Sequence, residues 1–288
     1  MRVLGVGIAT LDVVNEVEGY PAEDAEVRAL AQRVSRGGNA TNTLGALAQL
    51  GHRCSWAGML ADDRAAELVR AELHALGVAT DHVRRQRGGT TPTSYVTLSR
   101  TNGSRTIVHY RALDEYPAAA FATIALADFD WVHFEGRAVP ELDAMLRHLR
   151  AAGGPRCSLE VEKPRPGIEA LLTRADLVMF GRAYVEALGY AEPVAFLHDQ
   201  PQGLAAVCGW GDAGAWGRSA DGSVHHAAAC PPPQVLDTLG AGDVFNAAVI
   251  DAWLGGRTLA EALAAGCRLA GAKCGRRGLT DLLDGGTG

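Results

Sequence analysis

The sequence predicts an α/β protein whose mainly parallel sheet is covered by helices on both faces, with a small β-sheet standing off the main body. The main body is predicted by short apolar runs, such as "DWVHFE", "CSLEVE", "DLVMF" and "LAAVCGW", that alternate with helix-like stretches. Such alternation is typical of βαβ units. The small sheet is predicted by two stretches that break the alternation.

The elements of the main body follow one another in a regular order. "MRVLGVGIATLDVV" lacks the pattern of a signal peptide, and we interpret it as a first strand with Asp12 at its end. "NATNTLGALAQLG" has helical spacing and ends at Gly51, and "CSWAGML" predicts a strand. "DDRAAELVRAELHALG" has the acidic start and the glycine stop of a helix, and "VPELDAMLRHLRAAG", "PGIEALLTRA" and "AYVEALG" predict further helices.

The small sheet is predicted from residues of about 13–37 and 91–112. The first segment has strand-like pieces with little helical period, and the second alternates around Asn102-Gly103, which is a hairpin signal. A small sheet on its own exposes one apolar face, so it must cover a ligand or pair with another copy. We therefore expect a lid and a contact between two subunits.

Composition excludes several classes of function. The 288 residues carry a net charge of −6 with no run of like charges, which argues against a nucleic-acid partner. No stretch of about 20 apolar residues predicts a membrane span. The six cysteines form no C-x-x-C pair, which argues against a zinc site, and those in apolar company, such as Cys208, are expected to be reduced core residues. We expect a cytoplasmic protein.

Two glycine-containing stretches near the start of the chain compete as ligand sites. "GVGIAT" has Thr10 where a dinucleotide fingerprint needs its third glycine, and no acidic residue follows at the expected place. In "SRGGNATNTLG", glycines precede a helix on which Asn39 and Asn42 lie three residues apart and share a face. Two carboxamides on one face can bind a polyhydroxyl ligand, although an N-cap and a surface residue would give the same pattern.

The third glycine-rich stretch, "DTLGAGDVFN", places small residues and an acid at the start of a helix. The free N–H groups of a helix start bind anions, and small residues let the anion approach. Asp243 could accept a proton from a hydroxyl while the amides of residues 240–242 hold the phosphoryl group that the hydroxyl attacks. That is the geometry of in-line phosphoryl transfer. The alternative is an acidic N-cap after a glycine turn.

These motifs resemble those of a known family. "DTLGAGDVFNAAV" resembles the C-terminal signature of the ribokinase-like (PfkB) sugar kinases, and "GGNATNTLGALAQLG" resembles their N-terminal signature. Longer matches resemble the ketohexokinase branch of that family and occur in the same order, from about Val3 to about Asp281. They are "YPAEDAEVRAL", "NGSRTIVHY", "WVHFEGR", "EVEKPR", "PPPQVLDTLGAGD" and "GCRLAGAKCG".

The resemblance implies a single ribokinase-like domain over residues 1–288, folded as a three-layer α/β/α sandwich with a β-clasp that pairs with a second subunit. It implies an ATP- and Mg²⁺-dependent kinase for the 1-hydroxyl of a ketohexose such as fructose, and it leaves a K⁺ requirement open. Two rivals remain: a kinase for another sugar, a nucleoside or a sugar acid, and a catalytically silent sugar- or nucleotide-binding regulator. Intact Gly240, Gly242 and Asp243 speak against a silent protein.

The resemblance also implies roles for individual residues. Asp243 would be the general base, Gly240, Ala241 and Gly242 the anion hole, and Arg105 a contact to the sugar or the transferred phosphate. Asp12, Gly38, Asn39 and Asn42 would bind sugar hydroxyls, together with Asp24 of the neighbouring subunit. The nucleotide would contact Asp212, Gly214, Cys267, Cys274 and Asn246, besides Gly240 and Gly242.

Several of these residues have plainer interpretations, and the metal site departs from the family pattern. Asp12 could be a solvated loop acid, Arg105 an edge-strand charge, and the two cysteines core residues. The N-x-x-E motif of the wider family is absent from "FGRAYVEALG". Glu160 and Glu162 would lie on one face of a strand, and they are our candidates for groups around Mg²⁺.

Overall fold

The computed structural model describes residues 1–101 and 103–283, which form fourteen strands and eight α-helices. The strands are β1 Arg2–Val6, β2 Thr10–Val17, β3 Ala31–Gly37, β4 Arg53–Ala57, β5 Met59–Ala61, β6 Arg84–Gln86, β7 Thr90–Ser99, β8 Arg105–Ala112, β9 Trp131–Glu135, β10 Arg156–Val161, β11 Leu177–Phe180, β12 Ala206–Gly209, β13 Ala215–Arg218 and β14 Val224–Ala227. The helices are α1 Asn39–Gln49, α2 Arg64–Ala75, α3 Ala118–Phe121, α4 Val139–Ala151, α5 Arg182–Ala187, α6 Pro193–His198, α7 Ala241–Leu254 and α8 Leu259–Cys274.

The central sheet has eight strands in the order β14-β13-β12-β11-β10-β9-β1-β4. The strands β12, β11, β10, β9, β1 and β4 run parallel to one another. At the other edge of the sheet, β13 and β14 are added by antiparallel pairing. Parallel strands end at the same edge of a sheet, so the loops that follow β1, β9 and β10 gather at one place.

Helices cover both faces of the central sheet, as predicted. Successive strand residues point to opposite faces, so Val3 packs into one core and Leu4 into the other. The first core contains residues of α1, α2, α7 and α8, and the second contains residues of α3 to α6. The predicted three-layer α/β/α architecture is confirmed.

A separate four-stranded sheet, here called the clasp sheet, has the order β3-β2-β7-β8. β2 pairs with β7 in parallel, and the two outer pairings are antiparallel. Its outer face carries large apolar side chains: Tyr95 is 54% exposed, Val108 66% and Tyr110 57%. In the predicted hairpin signal, Asn102 lies outside the described residues, and Gly103 has a positive φ of 68°.

The structure corrects the sequence-based elements at three places. The first stretch forms two strands, β1 and β2, in different sheets, so the prediction that Asp12 ends the first strand is wrong. Where the chain leaves the central sheet, the Ile8 N–H donates to the Glu135 side chain at 2.8 Å. "CSWAGML" divides at Gly58 into β4 and β5, and "PGIEALLTRA" forms a 3₁₀ helix over Ile168–Arg174.

Other predicted features hold in the described residues. Asp63 caps α2 by accepting from the Ala66 N–H, and α1 ends two residues before Gly51. Cys208 is fully buried in the core. Among the helices of residues 1–101 and 103–283, none is both long and apolar enough to cross a membrane.

Candidate active site

The candidate site lies where the starts of α1 and α7 meet the carboxyl ends of β9 and β10, facing the clasp sheet. α1 begins at Asn39 and α7 at Ala241, and the two helices pack against each other. This packing joins the two glycine-rich motifs of the sequence, which are about 200 residues apart in the chain.

Asp243 lies buried in the first turn of α7 and is held by Asn42. Asn42 Nδ2 donates to Asp243 Oδ2 at 2.7 Å, and the Asn42 Oδ1 accepts from Arg36 Nη1 at 2.9 Å. All three side chains are buried. Asn42 therefore orients the carboxylate of Asp243 in this structure. The prediction gave Asn42 only the role of a sugar ligand.

Burial raises the pKa of Asp243 from its ordinary value near 4 to about 7. The hydrogen bond from Asn42 and the charge of Arg36 act in the opposite direction, while Glu162 and Glu135 add to the rise. The ideal pKa of a general base lies near the working pH. A carboxyl group with a pKa near 7 can both accept and release a proton under neutral conditions.

The start of α7 has the features of an anion site. Gly240 precedes the helix with a positive φ of 79°, a conformation that glycine adopts without steric cost. The Ala241 N–H donates to the Thr238 carbonyl at 3.3 Å. The amides of Gly242 and Asp243 lie in the first turn, where no helical carbonyl precedes them. At Gly242, a Cβ would meet no atom within 4 Å, so this side of the turn is open to a ligand.

Asp12 lies on the inner face of the clasp sheet and is buried beside the start of α1. Thr10 Oγ1 donates to Asp12 Oδ1 at 2.8 Å, and burial raises the pKa of Asp12. Gly37 allows this placement, because a Cβ there would lie only 2.1 Å from Asp12 Oδ2. Gly38 follows at the N-cap of α1.

The Gly37→Ala variant is expected to lower kcat/KM for the acceptor about tenfold, because its methyl group must displace the Asp12 carboxylate from the cleft. Steady-state kinetics with varied acceptor would measure the effect. Gly19→Ala is the matched control, since a Cβ at Gly19 meets no atom within 4 Å. Equal kcat/KM values for Gly37→Ala and wild type would contradict the placement of Asp12.

The two metal candidates meet Asn39 and Asn246. Asn39 Nδ2 lies 3.3 Å from Glu160 Oε1 and 3.3 Å from Glu162 Oε2, and Asn246 Nδ2 donates to Glu160 Oε1 at 3.0 Å. Glu160 is buried and belongs to β10, whereas Glu162 is exposed just beyond that strand. Burial, followed by the charges of Asp243 and other acids, raises the pKa of Glu160 well above its ordinary value.

The two metal candidates lie in a small cavity that is also lined by charged residues to which the sequence analysis gave no role. Glu135, Glu160 and Glu162 share a small cavity with Arg137, Lys163 and Arg165. Glu135 is held by the Ile8 N–H, and burial raises the pKa of its carboxyl group. The unassigned residues are Glu135 and Arg137 in "WVHFEGR" and Lys163 and Arg165 in "EVEKPR", so the signal lay in stretches that were quoted without giving these four residues a role.

Within residues 1–101 and 103–283, no group of three or more His, Cys, Asp or Glu side chains is arranged to hold a metal ion. Mg²⁺ usually keeps several waters and binds through one or two carboxylates and the substrate phosphates. Glu160 suits that mode, because its buried Oε2 has no hydrogen-bond partner among the described residues.

Arg105 and Asp24 lie at the same end of the clasp sheet, because the β7–β8 turn and the β2–β3 loop follow strands that run in parallel. Arg105, at the start of β8, donates to Thr238 Oγ1 at 2.8 Å, next to the loop that leads into α7. Asp24 is exposed in the loop between β2 and β3, with a left-handed φ of 58°. In the described part of this single chain, no hydrogen bond joins Asp24 to the cleft.

Two of the predicted nucleotide residues, Gly214 and Cys267, meet at the end of β14 and the segment that follows it. Gly214 approaches this segment so closely that a Cβ would lie 2.1 Å from the Ala227 carbonyl oxygen. Cys267 Sγ lies 3.6 Å from the same oxygen. Asp212 is exposed in the preceding 3₁₀ turn, and Cys274 ends α8. Burial raises the pKa of both cysteines, that of Cys267 to about 11, so both are thiols.

A buried ion-pair network, not anticipated from the sequence, anchors the loop before α7. Asp237 Oδ2 lies 2.7 Å from Arg33 Nη2 and 3.3 Å from Lys273 Nζ. The Lys273 Nζ also donates to the Asp237 carbonyl at 2.6 Å. Arg33 belongs to the clasp sheet and Lys273 to α8, so the network ties both to the segment that carries Gly240.

Comparisons with known proteins give consistent results. The sequence pattern of the pfkB family carbohydrate kinases matches residues 2–284. Ketohexokinase of Mus musculus is 37% identical over 294 residues, covering 98% of this chain and 99% of the relative. A 1-phosphofructokinase of Rhodobacter capsulatus is 29% identical, covering 91% and 86%. The solved ribokinase of Cryptococcus neoformans has a TM-score of 0.79 at 18% identity, covering 98% and 96% of the two chains.

Proposed function

The chain belongs to the pfkB family of carbohydrate kinases, and we propose that it transfers the γ-phosphoryl group of ATP to the 1-hydroxyl of a ketohexose such as fructose. The observation that carries this proposal is the buried carboxylate of Asp243 beside the first-turn amides of α7, with its pKa raised to about 7. The preference for a ketohexose is supported by the 37% identity to ketohexokinase over nearly the whole of both chains.

In the proposed reaction, the sugar lies between the inner face of the clasp sheet and the start of α1. Asp12, Gly38, Asn39 and Asn42 bind its hydroxyls. Asp243 takes the proton of the attacking hydroxyl, and the oxygen then forms a bond to the γ-phosphorus while the bond to ADP breaks. The amides of the α7 start stabilise the negative charge of the transferring group.

Mg²⁺ would be held with the nucleotide phosphates by Glu160 and Glu162. The free Glu160 Oε2 and the exposed Glu162 carboxylate supply the oxygen donors that this ion prefers. When bound, the ion neutralises phosphate charge. Asn39 and Asn246 hold the Glu160 carboxylate in place. Asp212, Gly214, Cys267 and Cys274 would border the nucleotide, and Arg105 would reach the transferred phosphate from the clasp.

The family resemblance leaves the acceptor open, because the relatives include a 1-phosphofructokinase. The deciding experiment measures ADP formation with fructose, 1-deoxyfructose, fructose 1-phosphate, ribose, a nucleoside and a sugar acid. The proposal predicts turnover with fructose, none with 1-deoxyfructose, and a product phosphorylated at C1 by ³¹P NMR. Preference for another acceptor would overturn the ketohexose assignment, and no ATP consumption with any acceptor would support a silent binding protein.

We also propose that the protein is a homodimer joined through the outer face of the clasp sheet. This face exposes Tyr95, Val108 and Tyr110, and monomeric proteins seldom expose large contiguous apolar patches. The exposed loop that carries Asp24 lies in the same sheet region, so in such a dimer it could reach the partner's sugar site.

Asp24→Ala is expected to raise the KM for the sugar about tenfold while leaving ATP binding nearly unchanged, because it removes one charged hydrogen-bond acceptor from the sugar. Steady-state kinetics with each substrate varied would show the difference. Glu23→Ala, one residue earlier in the same exposed loop, is the matched control. An unchanged KM in Asp24→Ala would remove the proposed contribution across subunits.

A further inference from the structure

We propose that Arg36 is a positioning residue for the catalytic base: it fixes the amide of Asn42 so that an N–H of Asn42 points at Asp243. This inference rests on the proposed function, since it assumes that Asp243 accepts the proton. Its basis is the buried chain of contacts from Arg36 Nη1 to Asn42 Oδ1, at 2.9 Å, and from Asn42 Nδ2 to Asp243 Oδ2, at 2.7 Å.

Arg36 is a buried residue, not a partner in a surface ion pair. Arg36 is only 6% exposed. A Cβ at Gly45 would lie 3.0 Å from the Arg36 Nη2, so the guanidinium lies against α1. A buried charge needs compensation. Burial lowers the pKa of Arg36, and the charges of Glu72, Asp243 and Asp12 oppose that shift. Arg36 therefore remains a cation beside two residues of the cleft.

The orientation of the Asn42 amide follows from the chemistry of its two neighbours. A guanidinium only donates hydrogen bonds, and an ionised carboxylate only accepts them. Asn42 must then present its oxygen to Arg36 and its NH₂ group to Asp243. The flipped amide would place NH₂ against the guanidinium and oxygen against the carboxylate, which would replace two hydrogen bonds with two repulsions.

This orientation bears on the reaction because the bond from Asn42 favours the ionised form of Asp243, which is the form that can take a proton. It also fixes the direction of the carboxylate, and a small misplacement of a reacting group can cost about 10²-fold in rate. Without Arg36, the Asn42 amide would lose one of the two contacts that fix its orientation.

The test is a double-mutant cycle on kcat, using the full-length protein and the acceptor that wild type turns over fastest. Arg36→Met is expected to lower kcat about 10²-fold with a much smaller change in the KM for ATP. Arg36→Lys keeps the buried charge but not the planar fork, and a partial recovery of kcat is expected. In an Asn42→Ala background, Arg36→Met should cause little further loss, because Arg36 acts through Asn42.

Arg36→Lys also keeps the test decisive if Arg36→Met does not fold, since its kcat loss should likewise disappear in the Asn42→Ala background. If the kcat loss of a double variant equals the product of the losses of its two single variants, the inference is overturned. A wild-type kcat in both Arg36 variants would overturn it too. Either result leaves the kinase assignment intact. A wild-type protein that consumes no ATP with any acceptor would overturn both.

Discussion

The Asp243→Asn variant is expected to lose about 10²–10⁴-fold in kcat, the range that general-base catalysis usually contributes. Asparagine has nearly the same shape as aspartate, but it cannot accept the proton of the sugar hydroxyl. ATP binding should be nearly unchanged, because the amides at the start of α7 remain in place. Single-turnover kinetics and ATP titration by calorimetry would measure the two quantities separately.

The matched control for Asp243→Asn is Asp251→Asn. Asp251 belongs to the same helix and bonds to His52 at 2.9 Å, away from the cleft. Its replacement should leave kcat unchanged. Wild-type turnover in Asp243→Asn would contradict the role of this carboxylate, whereas an equal loss in both variants would point to damage to α7.

The Lys273→Met variant is expected to lower the free energy of unfolding by about 3–5 kcal/mol, which is typical when one partner of a buried ion pair is removed. Lys273 is 0% exposed. Burial alone would raise the pKa of Asp237. That pKa is instead held below its ordinary value by the charge of Lys273, the hydrogen bond from the Leu239 N–H and the charge of Arg33. Methionine fills the space of the lysine stem but leaves the carboxylate with less compensation.

Urea denaturation at neutral pH would measure this loss of stability. Arg147→Met is the control, since its ion pair with Asp143 lies at the surface, where such pairs contribute little. Lys273→Met should also lower kcat, because the loop that Asp237 anchors leads directly to Gly240. A Lys273→Met protein as stable as wild type would show that Arg33 and the backbone amides suffice to hold Asp237.

Local signals in the sequence predicted the starts of the functional helices. The glycines before Asn39 and Asp243 mark the starts of α1 and α7, and the alternating runs predicted the layered sheet. Asp12 was misplaced because a strand that leaves one sheet and joins another keeps the same apolar alternation. The break at Gly58 was also missed, and only the fold shows that a Cβ there would lie 2.2 Å from the Trp56 ring.

Contacts between distant parts of the chain were beyond sequence reasoning. Asn42 and Asp243 are 201 residues apart, and the motif gave no sign that they touch. Arg36 stood in the quoted stretch "SRGGNATNTLG", but only the folded structure shows that its side chain is buried against Asn42. Likewise, the pairing of Asp237 with Arg33 and Lys273 depends on the docking of the clasp sheet and α8.

The pH dependence of kcat/KM for the acceptor tests the central claim most directly. Asp243 must be ionised to accept a proton, and burial raises its pKa to about 7. As the pH falls through that value, the carboxylate is protonated and kcat/KM should fall tenfold per pH unit, whereas above pH 8 it should level off. A kcat/KM that stays constant from pH 8 down to pH 5 would contradict a buried Asp243 as the base.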